Sequence, residues 1–190
     1  MKFLIVSSHP YEKSFNRQLT AKIEEVLKEK HDVEVIDLIK DDFNPTMTAE
    51  DLKGFNEGIA ADKLVTEYQE KINDADVLVF PFPIWWGVMP ANLKGFTDKV
   101  FLKGFAYNYG EHGLIGILNK KAVVITTMEV DKDIYVNMLN NPVQNQFING
   151  TLAQCAIATE KYFQIDKINS GTDEYREGVF NEIIEYFKNM

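Results

Sequence analysis

Three short stretches carry residues whose types and spacing suit a planar, anionic ligand. The first, His9-Pro10-Tyr11-Glu12-Lys13-Ser14-Phe15-Asn16, ends at a serine placed to cap a helix. The first N–H groups of a helix lack intrahelical partners. A phosphate can rest on those of Phe15 and Asn16, with His9 and the Ser14 hydroxyl as side-chain donors. A plain N-cap accounts for the same residues. The second stretch, Pro81-Phe82-Pro83-Ile84-Trp85-Trp86-Gly87-Val88-Met89-Pro90, holds half of the six prolines and both tryptophans. Prolines restrict its backbone. Planar side chains and free amides suit a flat heterocycle with hydrogen-bonding edges, and flavin is such a group. Trp85 and Trp86 fit equally well as core or dimer-interface anchors. The third stretch, Thr126-Thr127-Met128-Glu129, offers two hydroxyls at a strand end, for a ligand or simply to finish the strand. Phe105 to Gly110 is aromatic and loop-like, suited to wall a flat pocket or to form an interface.

These stretches must be aimed at one place by regular elements. Apolar runs at Lys2–Ser7, Asp76–Phe80 and Lys121–Thr127 read as buried strands, Asp32–Leu38 as a partly covered one, and Tyr162–Ile168 as a last strand. Helical spacing is found in Ser14–Lys30, Lys63–Asn73, Ala91–Phe101, Asp131–Leu139, Gln146–Ala158 and Thr172–Lys188. Thr48-Ala49-Glu50-Asp51 has the form of a helix N-cap with acids in the first turn. Strands alternating with helices specify a doubly wound α/β fold. Five parallel strands are expected in the flavodoxin-like order 2-1-3-4-5, with helices on both faces. A ligand then sits beyond the carboxyl ends of the strands, where the three stretches converge.

The chain has 190 residues, the length of a single domain over 1–190. With 20 Lys+Arg against 29 Asp+Glu, its net charge of -9 repels nucleic-acid phosphates, so no nucleic-acid partner is expected. The first loop lacks both the Gly-x-Gly-x-x-Gly fingerprint and the phosphate-loop pattern, which disfavours a Rossmann-held nicotinamide. The single cysteine, Cys155, excludes an internal disulfide and is expected in the core. His9, His31 and His112 show no metal-ligand spacing, so no metal is expected. No export signal or membrane-length apolar run is visible, and the expected location is the cytoplasm without membrane insertion.

Taken in order, these residues resemble the flavodoxin-like NAD(P)H:quinone oxidoreductases, the DT-diaphorase family and its bacterial members, from Met1 to about Ala158. The landmarks are His9 with Ser14-Phe15-Asn16, Asp37-Leu38 with Phe43-Asn44-Pro45, and Asp74-Ala75-Asp76. The string from Pro83-Ile84-Trp85-Trp86 through Met89-Pro90-Ala91-Asn92-Leu93-Lys94-Gly95-Phe96 to Gly104-Phe105-Ala106-Tyr107-Asn108-Tyr109 is the most specific. The resemblance implies that His9, Ser14, Phe15 and Asn16 hold the flavin phosphates. It implies that Pro83, Ile84, Trp85, Trp86 and Gly87 border the isoalloxazine ring, with Thr126, Thr127, Met128 and Glu129 at its other edge. Tyr107 and Tyr109 would line a substrate pocket built across a homodimer interface. The cofactor implied is FAD, with FMN possible. The implied reaction passes a hydride from NADH or NADPH through bound flavin to a quinone or similar flat acceptor, in ping-pong fashion. Tyr135 stands where the family's proton-relay tyrosine does.

Two departures qualify this. Met128 and Glu129 replace two glycines, so Glu129 is expected to point to solvent or pair with a cation. No histidine follows His112, so the relay lacks its second member. A regulatory flavoprotein, serving as redox sensor for a transporter or other partner, is therefore the alternative. A one-electron carrier is a third reading, against which the Tyr107–Tyr109 pocket argues.

Overall fold

The computed structural model describes residues 1–190. The chain runs β1 (Lys2–Ser7), α1 (Phe15–Lys28), β2 (Asp32–Asp37), α2 (Ala49–Phe55), α3 (Lys63–Asp74), β3 (Val77–Pro83), α4 (Ala91–Val100), β4 (Tyr107–Gly110), β5 (Gly113–Gly116) and β6 (Lys120–Thr127). Two π-helical segments follow, Ile134–Met138 and Val143–Leu152, then a 3-10 turn Ala153–Cys155, β7 (Ile157–Ile165) and α5 (Asp173–Lys188). Five strands form one parallel sheet in the order β2-β1-β3-β6-β7, which is the expected order. No helix is long and apolar enough to cross a membrane.

Alternation along the strands divides the core into two layers. Phe3, Ile5, Val77, Val79, Val123 and Ile125 face α1 and α5. Leu4, Val6, Leu78, Phe80, Val124 and their neighbours face α3, α4 and the π-helical segments. The sequence reading ends the third strand at Phe80, but β3 continues through two prolines to Pro83. Ile84 N–H donates to the Thr127 carbonyl, so even-numbered residues of β3 address β6. Pro81 and Pro83 therefore face β1, whose pairing with β3 stops at Ile5↔Val79. Their missing N–H groups leave no ladder bond unmade.

Three other expectations are corrected. Phe105–Gly110, read as loop-like, contributes Tyr107–Gly110 to a two-stranded antiparallel hairpin with Gly113–Gly116, apart from the main sheet. The two stretches after β6, read as α-helices, are π-helices, closed by i→i+5 bonds such as Leu139 N–H to the Ile134 carbonyl at 3.1 Å. The second ends earlier than Ala158: Ala156 takes a left-handed backbone at φ 58 and turns the chain straight into β7 at Ile157.

Candidate functional site

Strand order reverses between β1 and β3, and a cleft of about 960 Å³ opens beyond their carboxyl ends. One end is built for an anion. Ser14 caps α1 by accepting the Arg17 N–H at 3.3 Å, which leaves the N–H groups of Phe15 and Asn16 without a protein partner. Asn16 donates to the Thr127 hydroxyl at 2.6 Å, so α1 is pinned to the end of β6. His9 Nδ1 accepts the Tyr11 N–H at 3.1 Å. Burial pulls the His9 imidazole below its ordinary value, and the nearby Arg17 guanidinium adds to this. His9 is thus neutral at pH 7, with its proton on Nε2, a donor. Beneath the loop, Arg17 joins Asp37 at 2.5 Å and the Ser7 hydroxyl at 3.1 Å, both acidic and basic groups being largely buried. This lock ties α1, β1 and β2 together. Sequence reading missed it, because only tertiary packing brings residues 7, 17 and 37 together.

The other end is flat and apolar. After β3 the chain makes a two-residue turn, in which Trp85 and Val88 exchange both backbone hydrogen bonds at 2.9 and 3.2 Å. Trp86 (φ 50) and Gly87 (φ 83) are both left-handed, as a type I′ turn requires. Glycine takes that conformation freely, whereas a tryptophan is strained there. Trp86 is fully exposed at 103%. The N–H groups of Trp86 and Gly87 have no protein acceptor. Pro83, Ile84 and Trp85 wall the main cleft, while Trp86 and Gly87 line a second cavity of about 500 Å³. The two cavities share Ile84, Met128 and Glu129.

Tyr135 is wholly buried, and its hydroxyl is occupied on both sides. It donates to the Gly87 carbonyl at 2.9 Å and accepts the Val143 N–H at 3.2 Å. Burial raises its phenol above the ordinary value. This geometry holds the Trp85–Val88 turn, and Tyr135 also lines the second cavity. Tyr135→Phe removes one bond and strands the buried Val143 N–H, so a loss of about 1–2 kcal/mol of unfolding free energy is expected in urea titrations.

Not every expected residue reaches the cleft. Thr127 does, but Thr126 lies on the opposite face of β6, as neighbouring strand residues must. Its hydroxyl is fully buried, 3.3 Å from the Tyr162 hydroxyl and 3.4 Å from the Phe163 carbonyl. Tyr107 and Tyr109 stand on the hairpin; Tyr107 lines a separate pocket of about 400 Å³ with Phe101 and Cys155, and Tyr109 is 64% exposed. One chain therefore does not bring them to the main cleft. Met128 is buried, with its N–H bound to the Ile165 carbonyl at 2.8 Å, so its bulk forms the partition between the two cavities. Glu129 is exposed, as expected, yet its partner is not a cation. It accepts the Asn169 N–H at 2.8 Å. Hydrogen bonds with Ser170 and Asn169 hold its carboxyl below the ordinary value. Sequence reading missed the far wall of the cleft, made by Asn169, Asp173, Arg176 and Phe180 around the start of α5.

At the anion end one buried polar atom, Asn16 Oδ1, has no hydrogen-bond partner. Such an atom is costly to leave unpaired, and here it belongs to a residue of the first turn of α1, where two N–H groups are free. A ligand with a phosphate at one end and a flat ring at the other satisfies both ends of this cleft. The residues present fit a flavin nucleotide.

Residues 1–187 match a family described by its flavodoxin-like fold. The chain is 30% identical over 183 residues to a Haemophilus influenzae protein named an uncharacterized NAD(P)H oxidoreductase, covering 94% of this chain and 90% of that one. It is 32% identical over 179 residues to NAD(P)H dehydrogenase [quinone] 1 of Cavia porcellus, covering 80% of this chain but only 63% of that longer protein. Among solved structures, the NAD(P)H:quinone oxidoreductase from Methanothermobacter marburgensis superposes with a TM-score of 0.87 at 28% identity, over 100% of this chain and 98% of that one.

Proposed function

The chain belongs to the family of the flavodoxin-like fold, and from that premise we propose that it is a flavin-dependent NAD(P)H oxidoreductase that reduces quinones or related flat acceptors. The observation that carries this is the two-ended cleft at the reversal of strand order, with an unpaired Asn16 oxygen and free helix N–H groups at one end and the Pro83–Trp85 wall at the other. Bound flavin would supply the relay of a hydride from NAD(P)H to the acceptor. The protein's own part is positioning. Phe15 and Asn16 N–H, Ser14 and His9 take the phosphate. Pro83, Ile84 and Trp85 exclude water from one ring face, and the free N–H groups of Trp86 and Gly87 are donors for the ring's polar edge. Met128 and Glu129 close the opposite edge.

FAD is favoured over FMN because the cleft continues past the phosphate cradle to Gln18, Asp173, Arg176 and Phe180. Phe180 stacks edge-on against Phe15 at 5.7 Å, an apolar floor beyond the cradle. The active form is a homodimer, in which a second copy brings Tyr107 and Tyr109 to the acceptor cavity. Exposed Trp86, Tyr109, Leu114 and Ile115 are the apolar surface available for that contact. The setting is the cytoplasm, with no inserted membrane segment and no nucleic-acid partner.

The test is an anaerobic titration of the FAD-loaded protein with NADH and with NADPH, followed by a quinone. Bleaching of the flavin band by at least one nucleotide and its return with the quinone is expected. Failure of both nucleotides would overturn the assignment. The engaged Tyr135 hydroxyl and the absence of a histidine after His112 favour one second reading, a slowly turning redox sensor for a protein partner. Brisk turnover with a quinone rules that reading out.

A further inference from the structure

We propose that Glu129 selects the acceptor by charge, making this site one for uncharged or cationic flat acceptors and against anionic ones such as sulfonated or carboxylated quinones and dyes. The inference rests on the functional reading above and deepens it.

The second cavity, about 500 Å³, is walled mainly by apolar groups, with Ile84, Trp86, Val130 and Leu139 among them. Glu129 is the one charged side chain on its wall. Glu129 is exposed, so its charge acts on an acceptor seated there at close range and through solvent screening.

The Glu129 carboxylate is exposed but tethered, its Oε2 accepting the Asn169 N–H at 2.8 Å. Hydrogen bonds with Ser170 and Asn169 favour its ionised form. No cation neutralises it, since no Lys, Arg or His nitrogen lies within ion-pair distance. The nearest ion pair on its segment, Lys167 with Asp131 at 2.6 Å, uses its lysine on another carboxylate. Glu129 lines both the main cleft and the acceptor cavity, so its charge lies close to both. A sulfonate or carboxylate on an acceptor is therefore brought toward an unneutralised negative charge, while a neutral ring meets only apolar wall.

Two related probes separate charge from shape: 1,4-naphthoquinone and its 2-sulfonate. Trp85 and Trp86 are the chain's two tryptophans, and they border these cavities, so quenching of intrinsic fluorescence reports binding without any turnover. Glu129→Gln keeps an acceptor for the Asn169 N–H and removes the charge. Between unit charges about 6–8 Å apart and exposed to solvent, its removal is expected to shift the affinity ratio of sulfonate to parent quinone about twofold toward the sulfonate at low salt. The kcat/KM ratio shifts the same way. Glu129→Asp, which retains the charge, keeps the parental ratio. Raising salt narrows the gap between the parental protein and Glu129→Gln. An unchanged affinity ratio in Glu129→Gln, or an equal shift in Glu129→Asp, would overturn the proposal. If neither quinone is reduced, the functional reading falls, and the fluorescence ratio still decides the role of Glu129.

Discussion

Ser14→Asp is expected to leave the fold intact and to abolish useful flavin binding. Aspartate caps a helix as well as serine does, so its carboxylate can take over the Arg17 N–H that Ser14 now accepts at 3.3 Å. A negative charge at a helix start is, moreover, favourable for the helix itself. The same charge lies where the phosphate must rest, beside the free Phe15 and Asn16 N–H groups and the neutral His9. Repulsion between close like charges, even well screened, weakens FAD affinity by about 100-fold or more. Thermal unfolding of the apo-protein should stay within about 0.5 kcal/mol of the parent. Isothermal titration with FAD then gives the decisive number. A variant that unfolds normally and binds FAD as tightly as the parent would place the phosphate elsewhere.

Lys99→Met is expected to cost about 3 kcal/mol of stability, a large fraction of what a domain of this kind possesses. Lys99 Nζ is 3.3 Å from Asp51 Oδ2 and 3.2 Å from the Asn44 carbonyl, and it lies 5.7 Å above the Phe43 ring. The side chains of this pair are only 4% and 9% exposed. Methionine matches the stem of lysine in volume but strands the Asp51 carboxylate. Burial alone would raise the Asp51 carboxyl, but the Thr48 hydroxyl and N–H, with Lys99, outweigh it and hold the group below its ordinary value. A depressed carboxyl contributes stability at neutral pH and loses that contribution as pH falls through its folded-state value. The parent should therefore weaken in acid more steeply than Asp51→Asn/Lys99→Met, in which the pair is absent. Urea unfolding at pH 7 and pH 4 reads both effects. If Lys99→Met and the double variant prove equally stable at pH 7, the stranded carboxylate is not the cause of the loss.

What the sequence discloses follows from which forces act locally. β1, β3 and β6 are buried on both faces, so each is a continuous apolar run, and the order β2-β1-β3-β6-β7 follows from their alternation with helices. β7 is an edge strand with exposed Ala158, Glu160 and Lys161, and its first half lacks that signature. Its start is set by the left-handed Ala156, where no glycine marks the turn. The hairpin strands are four residues each and largely exposed, too short for a period to register. In the candidate site, the Ser14 cap of α1 was legible because capping is a local event. Thr126 was misassigned beside Thr127 because strand periodicity, rather than residue type, decides which hydroxyl meets the cleft. The wall from Asn169 to Phe180 belongs to the turn before α5 and its first turns, whose docking across the sheet no local pattern records.

The π-helical stretch from Val143 to Leu152 is sensitive to its length. Its buried residues, Val143, Phe147, Ile148 and Leu152, recur at intervals near four and a half, the wider period of a π turn. Loss of one residue there would let the segment close into an ordinary α-helix, and each residue beyond the gap would turn by about 100°. Leu152 would leave the core and the approach to β7 would be redirected. Exchange of apolar side chains along the segment is thus expected to be tolerated far better than the loss of a single residue.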